Sequence, residues 1–94
     1  MPYGMIIEQP GTTIEEYRRV LDVLGGEAPA GRLVHAVGAT ADGLRFMDVW
    51  RTRDDARRFQ TERLFPAFAK VFGGQRDPAR VIDFDVSELH IDSD

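Results

Sequence analysis

The stretch RLVHAVGATADGLRFMDVWR, residues 32 to 51, decides the fold because it holds two strand-like segments around a turn signal. Arg32 to Ala39 and Leu44 to Arg51 are rich in residues that favour strands, and Asp42-Gly43 lies between them. The Asp-Gly dipeptide is typical of a tight type I′ turn, since both of its residues tolerate positive φ. The stretch therefore predicts a β-hairpin in the middle of the chain.

The segment before the hairpin predicts a strand and then a helix. Tyr3 to Gln9 is short, rich in strand formers and followed by a Pro-Gly turn signal. Thr12 or Thr13 can cap the helix, and Gly25-Gly26 is expected to end it. The apolar residues between them recur at helical spacing and form one stripe: Ile14, Tyr17, Val20, Leu21 and Leu24.

The segment after the hairpin predicts helical structure and a last strand. Thr52 can cap a second helix, and Pro66 is expected to break it. A further short helix is then expected from Pro66 to Phe72, closed by Gly73-Gly74. Arg80 to Ile91 alternates apolar and polar residues over part of its length, which predicts a strand.

The predicted element order is therefore β-α-β-β-α-β. Two right-handed split β-α-β units in this order form a four-stranded antiparallel sheet with helices on one face, the ferredoxin-like arrangement of α+β proteins. We expect residues 1–94 to form a single domain of this kind. Three strands carry apolar residues at both odd and even positions, so both faces of the sheet are apolar. Because the helices cover only one face, we expect a homodimer in which the two sheets pack face to face.

The composition excludes several classes of function. A net charge of −4 leaves no basic surface for nucleic acid or for anionic membranes. The chain has no cysteine, which excludes disulfides and thiol chemistry. Its two histidines are far apart and no ligand-spaced carboxylates accompany them, so no metal is expected. The N-terminal residues resemble neither a signal peptide nor a membrane span, and we expect a cytoplasmic protein.

The length of the hairpin loop determines which residues oppose one another. A two-residue loop places Val37 opposite Asp48 and His35 opposite Trp50, whereas a four-residue loop places His35 opposite Asp48. Both loops leave the same set on one face: Leu33, His35, Val37, Phe46, Asp48 and Trp50. The other face is small and aliphatic, which is suited to packing under helices: Val34, Ala36, Gly38, Met47 and Val49.

The mixed aromatic and polar face is typical of a cavity wall, with rings for shape and a few polar groups for orientation. His35 and Asp48 are the candidate catalytic pair, because a carboxylate beside an imidazole makes it a better base. The candidate ligand-binding residues are Trp50, Phe46, Leu33 and Val37. The competing interpretation is structural, with a hydrogen-bonded histidine in a strand and a tryptophan packed in a core or interface.

Four segments resemble a family of small bacterial dimeric α/β-barrel proteins close to the antibiotic biosynthesis monooxygenases. They are MIIEQPG, GRLVHAVGATADGLRFMDVWRTRDDARRF, ERLFPAFA and VIDFDVSEL, which together cover most of the chain. The most specific part is the hairpin with the D-V-W-x-[ST]-x-[DE] entry into the second helix, Asp48 to Asp54. The resemblance implies two ferredoxin-like subunits that form a barrel, with a pocket between each sheet and its helices or loops.

The same resemblance implies activities that this chain matches only in part. Relatives oxygenate quinol-like or anthrone-like aromatics without metal or flavin, and others cleave haem or isomerise small molecules. His35 matches a recurrent strand-two histidine, and Trp50 matches the strand-three tryptophan. The chain has no asparagine, on which the oxygenase and haem-degrading branches depend, and Ser87 stands where a histidine is expected.

Two hypotheses about function follow. The first is cofactor-independent oxygenation, or a related proton transfer, on a small aromatic or dicarbonyl compound. His35 would remove a proton with support from Asp48, and Trp50 and Phe46 would stack on the substrate. The second is a non-catalytic dimer that binds a small ligand, or a stress-related protein, and the missing asparagine favours it. Neither hypothesis needs a metal, haem or other cofactor.

Overall fold

A four-stranded antiparallel sheet with helices on one face is the architecture of the computed structural model, which describes residues 1–73 and 78–92. Its elements are β1 (Tyr3–Pro10), α1 (Ile14–Leu24), β2 (Arg32–Ala39), β3 (Gly43–Trp50), α2 (Arg53–Phe59), a π-helical segment (Gln60–Leu64), α3 (Phe65–Phe72) and β4 (Arg80–Asp85). The strand order is β2-β3-β1-β4, so β1 lies between β3 and β4. The predicted ferredoxin-like arrangement is confirmed.

The hairpin has the longer of the two predicted loops. Ala39 pairs with Leu44 and His35 with Asp48, so residues 40 to 43 lie between the last paired residues of β2 and β3. The type I′ turn is wrong, because positive φ values among the described residues occur only at four other glycines. Gly43 instead belongs to β3, where a Cβ atom would lie 2.2 Å from the carbonyl oxygen of Gln9. Glycine is therefore required by the close approach of β1.

A β-bulge near the start of β2 changes which residue faces the helices. Arg32 pairs with Trp50 and Val34 with Val49, so Leu33 is the extra residue between them. Because directly opposed residues share a face, Arg32 lies on the same side of the sheet as Trp50. Alternation from His35 predicted that Leu33 lies on the face of Trp50. This prediction is wrong, because the bulge puts Arg32 there instead.

The helices pack on the opposite side of the sheet from the one expected. The larger side chains of β3 are buried under them, with Leu44 and Trp50 each 1% exposed. The aliphatic face that was expected to pack under the helices is uncovered, and Met47 is 50% exposed. This outcome follows from size, because burying Leu and Trp removes more apolar surface from water than burying Ala and Val. The grouping of the residues into two faces is confirmed except for Leu33, whose place on the face of Trp50 is taken by Arg32.

The core beneath the helices has two clusters. One joins α1, β3 and α3 through Tyr17, Val20, Leu44, Phe46 and Ala67, and the other joins β1, β3 and α2 through Tyr3, Met5, Trp50 and Ala56. Thr13 caps α1 in a complete capping box with Glu16, and Thr52 caps α2. No helix in the described ranges is long and apolar enough to cross a membrane.

The expected break at Pro66 is a widening of the helix instead. Helical structure runs without interruption from α2 to α3, and the turn before the proline is π-helical. The amide of Phe65 donates to the carbonyl of Gln60, five residues back. Pro66 lies in the first turn of α3, directly after the π-helical turn. Gly73 adopts the left-handed conformation as the C-cap, and Gly74 lies outside the described residues.

The last strand is shorter than predicted. β4 ends at Asp85, which pairs with Tyr3, and the amide of Val86 makes one more bond to the carbonyl of Pro2. β4 pairs only with β1, which begins at Tyr3, so residues beyond Val86 have no further partner in β1. The alternation that continues towards Ile91 therefore does not form a strand.

Candidate functional site

A cavity of about 1090 Å³ lies between the sheet and the helices. Its walls come from all four strands, α1, the α1–β2 connection and the helical run from α2 to α3. This volume is at the upper end of the range for small-molecule sites. The cavity is therefore large enough for a fused-ring compound.

Three side chains form a hydrogen-bonded chain on the cavity wall. His35 Nδ1 lies 2.6 Å from Asp48 Oδ1, and His35 Nε2 lies 3.1 Å from the hydroxyl of Tyr17. An ionised carboxylate only accepts hydrogen bonds, so its partner Nδ1 carries a proton. Neutral His35 then has its lone pair on Nε2, which accepts from the Tyr17 hydroxyl.

The fold explains why these three residues meet. The four-residue loop sets His35 and Asp48 directly opposite each other on adjacent strands. Tyr17 is near the middle of α1 and lies over that pair, with its ring edge-on to Phe46 at 5.1 Å. The side chains of His35 and Asp48 are 22% and 12% exposed. The hydrogen-bonded chain of the three side chains is thus largely buried and lies on the cavity wall.

Burial raises the pKa of Tyr17 above its ordinary value of 10.0. The positive charge of Arg32 lowers that pKa, and the negative charge of Asp48 raises it. Because the upward effects prevail, Tyr17 is neutral over the physiological range and can donate to His35. A stable tyrosinate is disfavoured at this position.

Aromatic rings form the other walls of the cavity. Trp50 and Phe59 lie 5.4 Å apart between centroids, and Phe46 lies beside the Tyr17–His35 pair. The indole nitrogen of Trp50 is buried, and none of the described residues bonds to it. Trp50 and Phe46 are 1% and 9% exposed, so they offer little open ring surface, whereas Phe59 is half-buried. The three rings make this side of the cavity apolar.

A second polar cluster lies where β1, β4 and α2 meet. The Tyr3 hydroxyl donates to Asp83 at 2.6 Å, and the guanidinium of Arg53 lies 4.7 Å above the Tyr3 ring. Burial raises the pKa of Tyr3, and its hydrogen bond to Asp83 and that residue's charge add to the rise. The charges of Arg53 and Arg57 lower it. All of these residues line the cavity.

Four of the six residues proposed from the sequence line the cavity: His35, Asp48, Trp50 and Phe46. Leu33 and Val37 are not among the lining residues, since Leu33 is in the bulge and Val37 packs against the core. Tyr17 was assigned to the apolar stripe of a helix, although its polar hydroxyl in that stripe is a signal of a site. No sequence signal indicated Arg32, because the bulge alone turns it to this face.

No group of three or more potential metal ligands occurs within residues 1–73 and 78–92. His90, the other histidine, lies 2.6 Å from Glu88 in an exposed position near the C-terminal end of the described chain. It is not among the residues that line the cavity.

The sequence matches no family profile and no curated protein. Solved structures do match the fold over nearly the whole chain. A dimeric protein of unknown function and ferredoxin-like fold from Bacteroides fragilis has 12% identity and a TM-score of 0.64, covering 90% of this chain and 96% of its own. An antibiotic biosynthesis monooxygenase-like protein from Chloroflexus aurantiacus has 17% identity and a TM-score of 0.63, covering 98% and 100%.

A monooxygenase from the gene ActVA-Orf6 of Streptomyces coelicolor, in complex with the ligand Nanaomycin D, also matches. It has 13% identity and a TM-score of 0.58, covering 98% of this chain and 92% of its own. At these identities the likeness concerns the fold alone. The resemblance to antibiotic biosynthesis monooxygenase-like proteins and ferredoxin-like dimers is confirmed at that level.

Proposed function

We propose that this protein is a cofactor-independent, monooxygenase-like enzyme that removes a proton from a small aromatic compound bound in the cavity. The observation that carries the proposal is the Asp48–His35–Tyr17 chain on the wall of an aromatic-lined cavity. A general base needs an acceptor nitrogen within hydrogen-bond reach of the proton that it takes. His35 Nε2, held as an acceptor by the bond from Nδ1 to Asp48, fits that requirement.

The proton reaches His35 through Tyr17. The substrate proton passes to the phenol oxygen while the phenol proton passes to His35 Nε2, so Tyr17 is neutral before and after. This concerted path suits a tyrosine whose pKa is raised by burial, because it avoids a free tyrosinate. Asp48 then stabilises the imidazolium as a close ion pair, at a separation of 2.6 Å.

The substrate anion provides the electrons for the reaction with O₂. At an acidic methylene, two C–H bonds break, one oxygen atom becomes a carbonyl on that carbon and the other leaves as water. Trp50, Phe46 and Phe59 hold the planar ring system and keep water away from the anion. The complex of the Streptomyces monooxygenase with Nanaomycin D supports a small-molecule ligand in this fold.

We also propose that the protein is a homodimer through the sheet face that the helices leave uncovered. That face is apolar, with Met47, Ile82 and Phe84 between 48% and 65% exposed. Gly4 belongs to the same face, and the Phe84 ring lies over it, at 2.6 Å from the place of a Cβ atom. Exposed apolar surface of this kind marks an interaction site, and the Bacteroides neighbour is a dimer.

Oxygen uptake with anthrone, in the presence of a metal chelator, tests the proposed activity. The native protein should consume one O₂ for each anthraquinone formed, and His35→Gln should lower kcat/KM by about 10²–10⁴-fold. Arg51→Gln is the matched control, since Arg51 is exposed and does not line the cavity. Binding of anthrone without any uptake would support the non-catalytic ligand-binding hypothesis instead.

The melting temperature of His35→Gln separates a functional from a structural role. A residue on a cavity wall can be replaced by water and a polar side chain at little cost in stability. A structural core histidine would leave an unpaired partner, at about 2–4 kcal/mol, which lowers the melting temperature by roughly 10–25 °C. We expect the smaller change.

A further inference from the structure

We propose that Arg32 binds the oxygen anion that forms when the substrate loses its proton. The inference rests on the proposed proton abstraction and extends it to the class of substrate. It restricts the substrate to aromatic compounds whose acidic C–H or O–H leaves the negative charge on an oxygen, such as a cyclic aryl ketone or a phenol.

The backbone directs Arg32 into the cavity. The bulge at Leu33 pairs Arg32 with Trp50, and both of these residues line the cavity while Leu33 does not. A bulge commonly re-aims a side chain next to a functional site. Without it, alternation along β2 would bring an apolar leucine to this place.

The guanidinium of Arg32 has a charge that the described residues do not pair. None of the ion pairs in the described part of the chain includes Arg32. Asp48, the carboxylate of the proposed proton-transfer chain, is already bonded to His35. Two other cavity arginines have partners, since Arg53 stacks on Tyr3 near Asp83 and Arg63 donates to the carbonyl of Leu24. Arg57 also lines the cavity without an ion pair among the described residues, but its charge acts on Tyr3 and not on Tyr17.

The positive charge of Arg32 lies near the place where the substrate loses its proton. Arg32 is close enough to Tyr17 to lower its pKa, so its field reaches the oxygen through which the substrate proton passes. Before the transfer, the charges of Arg32 and Asp48 act on Tyr17 in opposite directions. After it, the Asp48–His35 ion pair is neutral and Arg32 is left to pair with the substrate anion. A fixed cation at the place where negative charge develops is a strong source of transition-state stabilisation.

Two probes of matched shape test the inference: 2-naphthoate, which is an anion, and 2-naphthalenemethanol, which is neutral. Trp50 is the only tryptophan and lines the cavity, so quenching of its fluorescence reports binding of either probe. The native protein should bind naphthoate more tightly than the alcohol. Arg32→Gln should weaken naphthoate binding about tenfold or more and leave the alcohol unchanged.

Two further variants make the test specific. Arg32→Lys should restore part of the preference for naphthoate because it keeps the positive charge. Arg51→Gln makes the same change in net charge outside the cavity and should leave both affinities unchanged. The unchanged affinity of the alcohol for Arg32→Gln also shows that this variant is folded.

The outcomes distinguish this inference from the proposed function. If Arg32→Gln leaves naphthoate binding unchanged while both probes still bind, Arg32 does not bind anions and the aromatic cavity stands. If neither probe binds the native protein, the ligand-binding cavity itself is contradicted and the inference falls with it. With anthrone, Arg32→Gln should also lower kcat more than it raises KM, because the anion forms only after binding.

Discussion

Tyr17 is one of two tyrosines on the cavity wall whose pKa is raised by burial. Burial raises its pKa above 10.0, and Tyr3 is shifted in the same direction. In the unfolded chain both phenols ionise near the ordinary value, so above pH 10 the folded state retains more protons than the unfolded state. Stability that is fully present below pH 10 is therefore lost as the pH rises through the folded pKa values.

We predict that the melting temperature falls as the pH rises above 10 and that the fall is smaller in a Tyr3→Phe, Tyr17→Phe double variant. Phenylalanine does not ionise, so these two contributions to the alkaline loss disappear. Thermal melts of both proteins at pH 8 give the reference for each. An equally steep alkaline loss in the double variant would show that these phenols do not cause it.

The residues of the candidate site could be predicted only in part. The sequence placed His35, Asp48, Phe46 and Trp50 on one face because alternation and either even loop length give that result. The hydroxyl of Tyr17 within an apolar stripe was the one local signal, and the places of Tyr17 and Arg32 in the site depended on two facts of the tertiary structure. One was the packing of α1 over that face, and the other was a bulge of a single residue.

At the scale of elements, the Asp-Gly dipeptide of the hairpin predicted the turn region correctly, but the reason for its glycine is different. Asp42-Gly43 marks the turn region, but glycine is needed at position 43 because β1 approaches it closely. The helical run shows the same effect, since Pro66 perturbs it through a π-helical turn and does not end it. At Gly43 a tertiary contact decided the outcome, and a local sequence pattern does not contain it.

We predict that Gly43→Ala destabilises the protein by about 1–3 kcal/mol or more, because the added Cβ would meet backbone atoms that cannot move aside. The nearest are the carbonyl oxygen of Gln9 at 2.2 Å and the amide nitrogen of Gly11 at 2.9 Å. Gly38→Ala on the neighbouring strand is the matched control, since nothing lies within 4 Å of its Cβ position. Chemical denaturation should show a large loss for the first variant and little change for the second. Equal stabilities would contradict the close approach of β1.

At the scale of the whole molecule, one side of the sheet forms the cavity and the other is free for a partner. A chain of 94 residues thus has a large pocket on one side of the sheet and an exposed apolar surface on the other. The sequence predicted that the sheet is apolar on both sides. It did not predict which side the helices cover, since that choice depends on how the large side chains pack.

We predict a dimer in solution with a mass of about twice 10.6 kDa by light scattering at micromolar concentration. Ile82→Glu should give a monomer, because it places a charge on an apolar face where Ile82 is 65% exposed. Val23→Glu on α1, where Val23 is 41% exposed outside that face, should leave the dimer intact. A native monomer, or a dimer that Ile82→Glu does not affect, would contradict this interface.

The central claim is that the Asp48–His35–Tyr17 chain removes a proton from an aromatic substrate. Exchange of the anthrone methylene protons with D₂O, followed by NMR without oxygen, measures that step apart from oxygenation. We predict exchange well above the buffer rate with the native protein and with Arg51→Gln, and at the buffer rate with His35→Gln. Exchange at the buffer rate with native protein that binds anthrone, as shown by quenching of Trp50, would contradict it.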